Sequence, residues 1–190
     1  MDQLGKATST MATSGEATNR QLVKLREFST QLAQRLKEAP NKPVEPTRLA
    51  VRIGSENYLI EMALAGEIVS LPDISPVPWT RPWYRGLANV RGRLIGVVDL
   101  LHLMGREPLS PEQTQQLLVF GEVLGVNAGI LVTRAFGIRN LKDLTPLDGS
   151  TPAGRASWEQ ARYRDNEGLT MTALELRELA TSPQFAAIAV

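Results

Sequence analysis

Cysteine is absent from the 190 residues, and histidine occurs once, at His102. Those two facts remove disulfide staples, thiolate nucleophiles and Cys/His zinc sites together. Charge of one sign is missing too: 21 Lys and Arg stand against 20 Asp and Glu, a formal net charge of +1. Without a basic surplus the chain lacks the phosphate attraction that drives nucleic-acid binding, so no nucleic-acid partner is expected. No run of about 18 apolar residues occurs, so no segment reads as membrane-spanning. Residues 1–15 are rich in Ser, Thr, Ala and Gly and hold no apolar core segment. That is not the pattern of a secretory signal. Together these absences predict a cytoplasmic protein.

What is present is enough for a folded domain. The apolar fraction of 43% supports a buried core, which separates the chain from disordered sequences. Residues 1–17 read as a flexible tail. Residues 18–39 read as an amphipathic helix, with Leu22, Leu25, Phe28, Leu32 and Leu36 at helical spacing. Pro40, Pro43 and Pro46 then end it, because proline lacks the amide donor and clashes with the preceding turn. Residues 40–47 are therefore a linker, and 48–190 are the main domain.

From Arg48 the period changes to two. Leu49, Val51 and Ile53 alternate with Arg48, Ala50 and Arg52, as in a strand with one buried face. Further strands are expected at 58–62, 63–71, 94–98, 117–120, 129–133, 136–141 and 169–171, with Leu94, Val97 and Val98 in the core. The stretch 73–85 mixes Pro76, Pro78 and Pro82 with Trp79, Trp83 and Tyr84, and reads as an ordered loop pinned by aromatics. Asp99 is expected to cap a short helix running to Met104 and ended by Gly105. Thr172 and Glu175 have the spacing of a capping box opening a last helix. Residues 147–165 are polar and carry no clear pattern. Many short strands with helices at the ends suggest small barrels.

The search for chemistry is short. There is no P-loop, no G-x-G-x-x-G, no H-E-x-x-H and no G-x-S-x-G. The series Gly121, Gly125, Gly129 has no lysine placed for phosphate and reads as turns and tight packing. Asp99 and His102 share a helix face, but a triad needs a nucleophile delivered by the fold. The aromatic loop, with Arg81 and Arg85, is either a stacking platform for single-stranded nucleic acid or a cover for a barrel end.

One segment is far more specific. Glu67-Ile68-Val69 precedes Leu71-Pro72. After the loop comes Trp83-Tyr84-Arg85-Gly86-Leu87-Ala88-Asn89-Val90-Arg91-Gly92-Arg93-Leu94-Ile95, then Val97-Val98-Asp99-Leu100. This resembles the signature of CheW-like domains: an E-I dipeptide before a proline loop, G-x-x-N-(L or V)-R-G, an apolar strand, and V-D-L opening a short helix. The match spans roughly residues 48–141. The helix at 18–39, residues 86–94 and the stretch 187–190 are similar to the family's pilus-type branch.

The resemblance implies a mainly β fold of two SH3-like five-stranded barrels sharing a core, with no active site and no cofactor or metal. It implies an adaptor between the cytoplasmic tip of a chemoreceptor and the regulatory domain of a CheA-type histidine kinase, in an array controlling type IV pilus twitching. The receptor would be met around Glu67, Ile68, Val69 and Arg91, with Ala65 close by, and Asn89 and Gly92 complete the receptor- and kinase-coupling residues. Read from the residues alone, Arg91 beside Gly92 is a long cation with five donors that needs a carboxylate or carbonyl. Glu67 is the candidate, and an exposed, unpaired Arg91 is the alternative. The competing function is a small barrel binding nucleic acid or a small ligand.

Overall fold

The alternation that opens the domain forms β1 (Thr47–Ile53), whose Leu49, Val51 and Ile53 enter the main core. The computed structural model describes residues 47–114, 116–147 and 155–190. The expected tail, helix and all of the linker except Thr47 lie outside the described residues.

After β1 come β2 (Glu56–Glu61), β3 (Ala65–Ser70) and the two-residue β4 (Ile74–Ser75). A hairpin of β5 (Tyr84–Val90) and β6 (Arg93–Val98) leads into helix α1 (Leu100–Leu103). Then follow β7 (Gln116–Phe120), β8 (Ala128–Val132), β9 (Arg134–Asn140) and the two-residue β10 (Thr145–Pro146). Last are β11 (Glu159–Arg164), β12 (Thr170–Leu174), α2 (Leu176–Thr181) and α3 (Pro183–Ala186).

These strands form two six-stranded sheets, ordered β10-β11-β12-β2-β1-β9 and β3-β7-β8-β6-β5-β4. Each sheet has five full-length strands and one two-residue strand at an edge, which is the mainly β, two-part fold expected. The chain crosses between sheets repeatedly, so neither could form alone. One core joins them through β1, β2, β5, β6, β7 and β8, with Trp158, Leu176, Leu179 and Phe185 closing it. A second, smaller core of Ala50, Leu59, Leu144 and Met171 lies on the other face of the β1 sheet. Both faces of β1 are therefore apolar at the centre, and Ala50 is small because two layers meet there.

Three expectations need correction. Leu94 is not core: it is 62% exposed, one residue beyond the β5–β6 turn, where no layer covers it. Thr172 does not cap a helix. It lies within β12, its hydroxyl accepting a hydrogen bond from Arg155 at 2.9 Å, and Glu175 is the N-cap three residues later. The patternless stretch contains a strand, β11, preceded by a buried Trp158.

Asp99 does more than cap. Fully buried, it accepts the amide of His102 at 3.2 Å with one oxygen and that of Leu109 at 3.0 Å with the other. Its carboxylate binds His102 through the backbone and not the imidazole, so the pair forms no catalytic dyad.

A buried polar network ties the segment after α1 to the sheet that holds β2 and β11. Glu159 of β11 is 1% exposed. Its carboxylate takes a charged hydrogen bond from Arg106, which follows α1, and lies 3.5 Å from Arg155. Arg106 also donates to Glu56 at 3.0 Å and to the Tyr58 hydroxyl at 2.9 Å, both on β2. Burial first, then the Glu159 and Glu56 carboxylates, hold the Tyr58 hydroxyl far above the ordinary tyrosine range. The fold thus retains a proton that the unfolded chain releases above about pH 10. Its contribution is complete below that pH and declines above it. Urea unfolding between pH 8 and pH 11 should show stability falling from about pH 10, and Tyr58→Phe should remove this part of the slope.

Candidate functional site

The site is the tip of the β5–β6 hairpin. Val90 pairs with Arg93, so the connection is two residues, Arg91 and Gly92, with φ of 52° and 84°. Positive φ at both central positions is the type I′ geometry, whose twist matches that of the flanking strands. Asn89 secures the turn, its side-chain oxygen accepting the Gly92 amide at 2.8 Å.

Glycine suits the second position. Arginine at the first is unusual, because a left-handed conformation costs a side-chain-bearing residue roughly 1–2 kcal/mol. Asparagine or glycine would be at ease there. What arginine adds is reach. The Arg91 Nε lies 3.0 Å from a Glu67 oxygen, while the Arg91 side chain is 79% exposed and that of Glu67 33%. That Glu67 oxygen is itself shielded and has no aligned hydrogen-bond donor, so the contact is ionic in character and weak as a stabiliser.

The pair also has topological meaning. β3 is one edge of its sheet, and the β5–β6 hairpin lies toward the other edge. Contact between them means the sheet coils until its two sides meet.

The residues picked from the sequence divide into three groups. Glu67 and Arg91 are brought together, and Asn89 and Gly92 build the turn that presents Arg91. Ala65, Ile68 and Val69 are half-buried on β3, packed against the main core. The β3–β7 ladder is irregular between Ala65 and Ile68, which leaves Gly66 and Glu67 out of regular pairing. Sequence reasoning missed the apolar part of the surface. Leu94, directly opposite Asn89, is 62% exposed, and Val123 is 59% exposed. Arg93 straps the two regions, reaching Glu122 at 3.0 Å and Asn127 at 3.2 Å. The usable signal was position: a residue next to a two-residue turn projects past the sheet's cover.

The aromatic loop is mostly structural. Trp83 is buried and stacks on Phe185 at 6.4 Å, with Tyr84 edge-on at 6.3 Å. Only Trp79 of the three is exposed, at 86%. A single ring does not make a base-stacking platform. Among the described residues no cluster of His, Asp or Glu has a metal-binding arrangement, and no helix is long and apolar enough to cross a membrane.

Residues 48–184 match the family model of the CheW-like domain. Over 108 residues the chain is 32% identical to Protein PilI of Pseudomonas aeruginosa, covering 54% of this chain. The chain thus spans 60% of that relative's length. Over 118 residues it is 33% identical to Chemotaxis protein CheW of Thermotoga maritima, covering 60% of this chain and 72% of that protein. The crystal structure of scaffolding protein TtCheW from Thermoanaerobacter tengcongensis is similar in fold, with a TM-score of 0.61 at 17% identity. That likeness extends over 74% of this chain and 96% of the other.

Proposed function

This chain belongs to the CheW-like domain family, and from that premise we propose that it couples a chemoreceptor to a CheA-type histidine kinase. As a family member it is a coupling or scaffold adaptor of chemotaxis-type signalling, and such members are non-catalytic. The finer reading is that it joins the cytoplasmic tip of a chemoreceptor to the kinase regulatory domain, within membrane-bound arrays. The resemblance to Protein PilI supports a system governing type IV pilus twitching. No cofactor enters this reading.

The observation that carries it is the strained, exposed Arg91. A residue kept at φ 52°, where asparagine would be more comfortable, is retained for what its side chain does outside the fold. Paired with Glu67 and flanked by Leu94, it gives a small surface with an apolar centre and charged rim, the usual anatomy of a reversible contact. An interface of about 800 Å² per partner suffices, and array packing raises effective concentration so that weak contacts become collectively strong. Signal passes only if these contacts differ between receptor states.

The test is calorimetric titration of the chain with a receptor-tip fragment and, separately, with the kinase regulatory domain. Arg91→Asn should keep the melting temperature of the wild type or exceed it. It should weaken receptor binding about tenfold or more, equivalent to about 1.4 kcal/mol, and leave kinase binding unchanged. Wild-type binding to neither partner would sink the coupling reading.

A further inference from the structure

Trp79 and a nearby crevice form a peg and a socket that include neither Glu67 nor Arg91, although Asn127, which Arg93 reaches, also lines the crevice. Trp79 is 86% exposed and held at φ 60°. A bulky residue in that conformation persists only where its surroundings impose it. Here residues 187–190 do so. The Val190 amide donates to the Trp79 carbonyl at 3.1 Å, and the Arg81 amide donates to the Ile188 carbonyl at 2.8 Å. The Arg81 side chain adds a bond to the Ala187 carbonyl at 2.9 Å, and Thr80 bridges to Ala189. The loop is thus clamped with its largest apolar side chain in water. An indole immobilised in advance loses little entropy when it binds, which is the profile of an interface anchor.

The same segment walls a crevice of about 290 Å³, lined by Tyr84, Val98, Val126, Phe185, Ala186 and Ile188. That volume lies at the bottom of the roughly 300–1,000 Å³ range of small-molecule sites, a size suited to one large side chain. Its lining is apolar apart from few groups, one being the Tyr84 hydroxyl, whose ionisation burial pushes upward. Kept neutral, and making no hydrogen bond among the described residues, that hydroxyl can accept from an indole N–H.

We propose that the crevice receives Trp79 of a second copy of this chain, giving a two-fold dimer in which each copy fills the other's socket. The occupant is argued from the shared wall. Residues 187–190 fix the peg and Ile188 lines the socket, so both lie on one self-complementary face. That is the requirement for an isologous contact.

Sedimentation equilibrium of the full chain tests this, over the micromolar range that modest interfaces reach. The wild type should associate. Trp79→Ala and Ala186→Arg should each weaken association about tenfold or more without changing the melting temperature. An equimolar mixture of the two variants retains one intact peg-and-socket contact and should associate more tightly than either alone. Fluorescence gives a second readout, because Trp83 and Trp158 are 7% and 3% exposed. Iodide quenching therefore reports Trp79, and it should fall as protein concentration rises. A wild type that stays monomeric, or undiminished association in either variant, overturns the proposal. So does a Trp79 that becomes shielded only when the kinase regulatory domain is added.

Discussion

Replacing Gly86 with alanine is expected to cost about 4 kcal/mol or more, a large part of the ~5–15 kcal/mol that stabilises a typical domain. Two effects add. Gly86 sits at φ 133°, a region essentially closed to residues with a Cβ, where strain is about 1–3 kcal/mol. A Cβ there would also stand 2.2 Å from the Ser75 carbonyl oxygen and 3.0 Å from Pro76 Cα. Both are backbone atoms, so no side chain can rotate away and β4 itself must move. Gly92→Ala is the control, since at φ 84° it has strain but nothing within 4 Å. Differential scanning calorimetry should place Gly86→Ala roughly 10 °C or more below wild type, with Gly92→Ala between them. Equal losses would show that conformation alone matters and that the approach of β4 to β5 is unimportant.

That result bears on how much the sequence discloses. The glycine of G-x-x-N-V-R-G was visible as a place for backbone freedom, but its partner was not. Contact between Gly86 and Ser75 depends on the short β4 pairing with β5, and two residues carry no period from which to read a strand. β1, β6, β7 and β8 were legible because apolar residues dominate them. β11 was not, because Glu159-Gln160-Ala161-Arg162-Tyr163-Arg164 puts a carboxylate where a strand normally sends an apolar side chain, and its ladder is irregular. Leu94 misled in the opposite sense: its chemistry fits a core, yet the turn carries it beyond the layer that would bury it. At the site, the Glu67–Arg91 pairing was expected from chemistry and is observed at 3.0 Å. The left-handed conformation of Arg91 needed the two-residue register, which only pairing fixes.

Arg106→Met should be more damaging than Glu159→Gln, although the two residues share one interaction. The reason is unequal burial. The Glu159 side chain is fully buried, whereas Arg106 keeps 27% exposure and Arg155 keeps 18%. Removing Arg106 leaves a buried carboxylate with the Tyr58 hydroxyl at 3.0 Å, the Ala156 amide at 3.4 Å and the Arg155 guanidinium at 3.5 Å, but without its hydrogen-bonded cation. Breaking a buried pair in that way costs about 3–5 kcal/mol. Removing the charge of Glu159 leaves Arg106 with Glu56 and solvent, so the loss should be nearer 1–2 kcal/mol. Urea denaturation of both variants and of the double variant Arg106→Met/Glu159→Leu separates the two costs. The double variant should be more stable than Arg106→Met alone, because no buried charge remains unpaired. Strictly additive losses would mean that the two side chains do not act as a unit. The network's value would then lie elsewhere than in fixing the chain after α1 against β2 and β11. Coupling in the double variant instead identifies it as the polar latch that fixes the chain after α1 against β2 and β11.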